Sequence, residues 1–523
     1  MRLLIIPLLL CCAFLQAQTS YDIVIKNGRI IDGSGNNWYY GDVAIKDGKI
    51  VKLGKITGGS VGTTIDARGL VVAPGFIDVH THIEGDEKQE PEAKSFIYDG
   101  VTTVVAGNCG ASNVGVGKYL RWIDSLRLSV NVATLIGHND VRKVVMGRAN
   151  RDATAAELQQ MEQLVAVAMQ EGAVGMSTGL IYIPGTYTKT PEIVSLAKVV
   201  ARYGGLYASH MRDEGDSVTQ AIEEALLIGR EAGLPVQLSH FKVSGQHNWG
   251  RSKETLAMVK AARDQGIEVT IDQYPYTASS TGISTLLPDA VLADGQDSIK
   301  ARLQRPDVRK QVTDHILIRL KKRKLKHLSY AVVAYHAADT SFNGKSIEAI
   351  NLQLGRKHNA KAEAETVMDI MINGGASAVF HGMSENDVQY IMQYPFNMFA
   401  SDASIRVFNA GMPHPRGYGT NARVLGNYVR TLKVLSLEEA IRRMTSLPAQ
   451  KFMLHDRGLL KEGMAADIVV FDADKVTDVS TFTRPHAYSA GFKYVLVNGR
   501  LTVDNGVHNG TRAGASLYGP AKQ

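Results

Sequence analysis

Eight apolar runs of strand length, separated by helix-patterned or turn-rich text, limit the possible folds of this chain more than any other feature. They read GFIDVHTH (75–82), VTTVVAGNCG (101–110), VATLIGH (132–138), AVGMSTGL (173–180), GGLYASHMR (204–212), LPVQLSHFK (234–242), GIEVTIDQYPY (266–276) and FNMFASDA (396–403). Amphipathic patterns such as TAAELQQMEQLVAVAMQEG and SVTQAIEEALLIGREAG fall between several of them. Near-continuous apolar strands alternating with helices predict an α/β chain whose parallel strands close into a (β/α)8 TIM-like barrel, buried on both faces.

The flanks have a different texture. From Tyr21 to about Val72, and again over 458–505, short β-rich runs alternate with turn signals (YDIVIKNGRIIDGSGNN, GLLKEGMAADIVVFDAD, YVLVNGRLTVDNG). Two separated β-rich flanks predict one small β-sandwich built from both chain ends, 18–73 plus 456–523, around a barrel at 74–455. The segment 282–370 interrupts the alternation before the last strand and carries its own strand-like LSYAVVAYH, so it is expected to form an inserted lid subdomain. Residues 1–17 read as a secretory signal peptide: Arg2, an apolar core too short to span a membrane comfortably, then Ala17. Export, periplasmic or secreted, is therefore expected, with no stable membrane insertion after cleavage. Cys11 and Cys12 follow bulky leucines, which argues against a lipid anchor. The net charge of +7 is modest for 523 residues, and its one basic run, KKRKLKH (321–327), reads as a solvated helix face with no nucleic-acid motif beside it.

Polar, metal-competent residues gather at the C-terminal ends of the runs: His80 and His82, Cys109, His138, His210, His240 and Asp402. In a barrel these ends meet at one mouth, where active sites are built. Residues two apart on a strand share a side, so His80 can act with His82, and His240 with Lys242. Cleavage at Ala17 would leave Cys109 as the only thiol, which excludes an intramolecular disulfide. A nucleophile, a metal ligand or an inert core thiol remain open for it. Histidines with one thiolate and one carboxylate suit Zn2+.

APGFIDVHTH followed much later by GMAADIVVFDAD resembles the amidohydrolase superfamily of metal-dependent hydrolase barrels. The text between, GNCG, GMSTGLIYIPGTYTKTPEIVSLA, GGLYASHMRDEG, LSHFK, DQYPYTASST, SDA and HPRGYGTNARVLGNYVR, resembles the D-aminoacylase (N-acyl-D-amino-acid deacylase) family in the same order along nearly the whole mature chain. The resemblance implies one tightly bound zinc on Cys109, His210 and His240, and a second, weaker position on His80, His82 and Asp402. It makes Asp402 the general base and assigns the substrate carboxylate to Lys242, Tyr274, Ser280 and Arg416, with Tyr276 an alternative ring. The implied reaction is hydrolysis of an N-acyl-D-amino acid, a small-molecule substrate, to a carboxylate and a free D-amino acid. Zinc would lower the pKa of a water and Asp402 would carry its proton to the leaving amine. Asp272 and His138 are left to packing or orientation. Glu84 and Asp86 in HTHIEGDE, the GHNDVR loop and His381 in VFHGMSENDV depart from the family's usual text. The rival readings are a cyclic-amide hydrolase of the hydantoinase or dihydroorotase type and an exported binding protein that has lost catalysis.

Overall fold

The structure, a computed structural model, describes residues 20–522; the expected signal segment lies outside the described residues. Eight strands form the barrel: β1 (Phe76–Asp78), β2 (Val101–Ala106), β3 (Asn131–Thr134, resuming at Ile136–Gly137), β4 (Gly175–Gly179), β5 (Leu206–His210), β6 (Val236–Leu238), β7 (Val269–Gln273) and β8 (Asn397–Phe399). Each pairs in parallel with its neighbour in chain order. The ring closes where Asp402 N donates to His80 O and His82 N to Ala403 O, both at 2.9 Å. Every residue of β2, β4 and β5 is buried, as strands covered on both faces require.

The surrounding helices follow the predicted periodicity. Helix Ala155–Gln170 starts at a capping box between Thr154 and Glu157 and buries Met161, Val165, Ala168 and Met169, an i, i+4, i+7, i+8 stripe against the barrel. Loss of such a cap costs about 1 kcal/mol.

The two chain ends share one nine-stranded sheet. Ser20–Ile30 pairs in parallel with Ser60–Asp66 and with Val71–Pro74, which pairs in turn, antiparallel, with Ile468–Phe471. Ile25, Val43, Ile45, Val72, Ile468 and Leu496 fill its core. The last residues depart from the expected 456–523 boundary. Gly514 N donates to Leu128 O, Val132 N to Ala515 O and Leu517 N to Val132 O, so the tail runs beside β3 and not in the sheet. Backbone pairing, with Ser516 Oγ donating to Leu120 O, anchors this stretch, and no alternation of side chains marks it.

The inserted unit is also wider than 282–370. Its antiparallel sheet orders Ala278–Gly282, Ser377–His381 and Ala331–Tyr335, and helices including Pro306–Lys322 and Ala360–Ile372 pack on a separate core of Ile283, Leu303, Val333 and Val367 among others. The strands that widen it beyond 282–370, ASSTG at Ala278–Gly282 and the short SAVFH at Ser377–His381, carry no long apolar run to mark them. Of the basic run, only Lys321 and Lys322 continue a helix. Lys322 pairs with Asp216 at 2.5 Å and Arg323 lies over the Tyr330 ring. Among the described residues, no helix is long and apolar enough to cross a membrane.

Candidate active site

The C-terminal ends of the strands deliver the polar residues to one place. Cys109 Sγ lies 3.3 Å from His80 Nε2, 3.3 Å from His210 Nδ1 and 3.7 Å from His240 Nε2; the last two nitrogens are 2.7 Å apart. His82 Nε2 lies 3.1 Å from Asp402 Oδ1, and His80 Nε2 lies 3.6 Å from the same oxygen. Above this floor opens a cavity of about 450 Å³ lined by His82, Cys109, His210, His240, Lys242, Tyr274, Ser280, Asp402 and Arg416.

Unusual backbone places three of these side chains. Cys109, His240 and Asp402 have φ of 54°, 35° and 49°, left-handed values that cost an L-residue roughly 1–2 kcal/mol each. Non-glycine residues held so at a cleft are strain stored at a functional site. Around Cys109 the chain turns through Gly107 and Gly110, both at φ 77°. A Cβ on Gly107 would strike the carbonyl of Leu135, and one on Gly110 the side chain of Asn139. The glycines let the thiol reach the mouth without pushing β3 away.

Carboxylates behind the imidazoles hold the backbone beneath them and, at Glu214, one of the rings. Asp272 accepts from His240 N at 2.7 Å and from Gln237 Nε2 at 2.6 Å, and its Oδ1 sits 3.4 Å from His80 Nδ1. That last contact is electrostatic and poorly directed, since His80 Nδ1 has no hydrogen-bond partner. Asp78 accepts from His80 N and Ser401 N, tying β1 to β8; burial lifts its pKa to about 6. Glu214, in the loop after β5, receives Lys242 Nζ at 2.6 Å and faces His240 Nδ1 at 2.8 Å. With the Nδ1 proton given to Glu214, His240 Nε2 presents its lone pair to the cluster. Burial opposes ionisation of Glu214, but Lys242 and His240 outweigh it and hold the carboxyl far below its usual range.

The donors fit a zinc-type cation. One thiol and three imidazole nitrogens, His80 Nε2, His210 Nδ1 and His240 Nε2, converge within hydrogen-bonding range. Burial alone would raise the Cys109 pKa, yet the neighbouring His80 and His210 and the hydrogen bonds from His210 and His240 hold it well below the usual thiol value, in the ligand-competent form. Asp402 is likewise buried, but Arg416 first, then His80 and His82, keep it ionised. His82 is raised to about 9 against its burial, by Asp402 and Cys109.

On the opposite wall, Arg416 Nη1 lies 2.9 Å from Asp402 Oδ2, while its buried Nε has no hydrogen-bond partner. The guanidinium stacks on the Tyr274 ring at 4.5 Å, and Lys242 Nζ lies 5.7 Å from the same ring. Tyr276 packs away from the cavity, against His414, Phe482 and Arg423. Tyr182 closes one side, with its ring against His210 and its hydroxyl 3.0 Å from Thr281 of the inserted unit.

The model of the amidohydrolase family matches residues 63–303 and 333–503. The chain is 34% identical over 520 residues to D-aminoacylase of Alcaligenes xylosoxydans xylosoxydans, a match covering 95% of this chain and 97% of that one. This chain is a D-aminoacylase-family amidohydrolase. N-acyl-D-glutamate deacylase of the same organism is 35% identical, with 92% of this chain and 93% of that one covered. The structure of N-acyl-D-glutamate deacylase from Bordetella bronchiseptica, complexed with zinc and a phosphonate inhibitor that mimics the tetrahedral intermediate, superposes with a TM-score of 0.80. It shares 34% identity, and the match covers 95% of this chain and all of that one.

All ten residues named for the site from this family's pattern therefore lie in or directly under one cavity. His138 does not: its Nε2 meets Glu192 at 3.0 Å, and Arg142 pairs with the same carboxylate. His381 lines a separate cavity beside Trp249 and Met383. Glu84 turns back to the backbone of Gly107 and Asp86 is engaged by Ser404 and Arg406, so neither displaces a donor. Glu214 and Tyr182 were missed. Glu214 stands four residues after His210, and a carboxylate at that offset in a strand-end loop was the available signal.

Proposed function

We propose that this chain is a zinc-dependent hydrolase of N-acyl-D-amino acids, releasing a carboxylate and a free D-amino acid. One observation carries the reading: a Cys–His donor cluster with an ionised Asp402 faces a buried guanidinium and ammonium across one small cavity. Cys109, His210 and His240 would hold the tight zinc, and His80, His82 and Asp402 the weaker position. The 3.3 Å approach of Cys109 Sγ to His80 Nε2 brings the thiolate within reach of both groups. When bound, zinc supplies Lewis-acid activation of water and of the scissile carbonyl.

The chain's own residues do the rest. Lys242 and Arg416 hold the amino-acid carboxylate, with Tyr274 as a platform under both and Ser280 on the adjoining wall; the fork of Arg416 suits two-point contact. Before substrate arrives, Arg416 also neutralises Asp402. A carboxylate on the free Nε edge draws that charge away, which raises the Asp402 pKa and makes it a stronger proton acceptor at the moment of need. Asp402 then passes the proton to the departing amine. The D-configuration rests on the relatives' activities, D-aminoacylase and N-acyl-D-glutamate deacylase.

Assay of matched N-acetyl-D- and N-acetyl-L-amino acids beside hydantoins decides between the readings. Turnover confined to the D-amides is expected. Preference for hydantoins, or no turnover by zinc-loaded protein, would overturn it.

A further inference from the structure

A second constellation of metal-competent side chains lies in the inserted unit, none of them lining the catalytic cavity. His327 follows helix Pro306–Lys322, Glu348 sits in the first turn of helix Ile347–Gln353, and His358 and Glu363 flank the start of helix Ala360–Ile372. Their ligand atoms all lie within 4.8 Å of one another. His327 lies in the stretch between 303 and 333 that the family model leaves unmatched. We propose that His327, Glu348, His358 and Glu363 form a structural site for one divalent cation of the zinc type.

The geometry is close to what such an ion requires. Bonds of about 2.0–2.2 Å in a tetrahedron separate the ligand atoms by roughly 3.3–3.5 Å. His327 Nδ1 and Glu348 Oε1 are 3.6 Å apart, near that edge length. The two shorter pairs, His327 Nδ1 to Glu363 Oε1 and His358 Nε2 to Glu348 Oε1, are both 2.6 Å. These are hydrogen bonds that an ion replaces when the partners part by less than about 1 Å. The two imidazoles stack at 4.3 Å and 22°, so both present a nitrogen to the same pair of carboxylates.

Glu363 supplies the anchor. Its side chain is fully buried, and Leu328 N donates to Oε2 at 2.6 Å, which leaves Oε1 turned to the cluster. A ligand whose second oxygen is fixed by the backbone is pre-oriented in the way metal sites commonly use. Two carboxylates and two neutral imidazoles carry a charge of −2, which a divalent cation cancels. The N2O2 set favours zinc over the hard, oxygen-seeking magnesium and calcium. A bound ion would tie the 323–330 turn to the first turns of two helices, stiffening the unit whose first strand, Ala278–Gly282, forms part of the catalytic wall.

The test counts metal on the full-length, zinc-loaded protein after dialysis against buffered free zinc. Wild type should hold one equivalent more than His358→Ala, and the variant should keep wild-type turnover, because His358 is half-exposed and remote from the cavity. Equal zinc content in the two proteins would overturn the proposal. A second measurement needs no variant: anomalous diffraction at the zinc edge should give a peak among the four side chains in zinc-soaked crystals, and no peak there would equally overturn it.

Discussion

His138 and His210 end neighbouring regions of the same barrel and both are buried, yet their surroundings differ in kind. Both ring nitrogens of His138 have partners, Asn139 and Glu192, and Arg142 balances the carboxylate. That network is closed. His210 shares Nδ1 with a thiol and another imidazole, and its Nε2, on the other side of the ring, has no hydrogen-bond partner among the described residues. In the lining of the same cavity, Arg416 Nε is also buried without one among the described residues. Buried polar atoms left unpaired cost about 1–3 kcal/mol each, so a protein keeps them where something else fills the valence. Open valence separates a site from a structural network more sharply than residue type does.

The largest effect expected from breaking the open cluster is at its centre. Cys109→Ala removes the group that three imidazoles face; zinc content and turnover should fall together, to the background of the assay. A fully loaded, active variant would erase the contrast between the two regions. Asp402→Asn should keep the tight zinc and lower kcat by about 10²–10⁴-fold, the usual worth of a positioned proton carrier. Near-normal kcat would remove Asp402 from that role. Arg416→Lys keeps the charge but loses the fork, and KM for an N-acetyl-D-amino acid should rise by roughly 10-fold or more. An unchanged KM would place the substrate carboxylate elsewhere. The smallest effect belongs to the closed network: His138→Gln should lower unfolding stability by about 1 kcal/mol with zinc content and turnover intact. Loss of zinc in that variant would show that the two regions are coupled.

The fold and most of the site were legible because both depend on periodic text. Apolar strands end in polar residues, and barrel geometry brings those ends together, so His80, His82, Cys109, His210, His240 and Asp402 could be gathered without coordinates. Lys242, Tyr274, Ser280 and Arg416, proposed to hold the substrate carboxylate, came from resemblance to a family and not from periodicity. Other features left no such trace. Glu214 acts from a loop, where no register predicts direction. The left-handed backbone at Cys109, His240 and Asp402 is invisible in residue types that seldom adopt it. The interruption of β3 at Leu135, an apolar residue inside an apolar run, could not be told from continuous strand. The tail beside β3 and the polar strand Ala278–Gly282 of the inserted unit pair through their backbones, which their side chains do not advertise.

The nine-stranded sheet imposes an order on the making of the molecule. Val71–Pro74 leads directly into the first barrel strand, but its antiparallel partner is Ile468–Phe471, near the other end of the chain. At a ribosomal rate of about 5–20 residues per second, the interval between Ala73 and Val469 lasts roughly 20–80 s. Throughout it the earlier strand presents an unpaired edge of Val71, Val72 and Ala73 beside a growing barrel. The newborn chain therefore needs either a helper to cover that edge or a sheet that waits for Ile468–Phe471 to emerge.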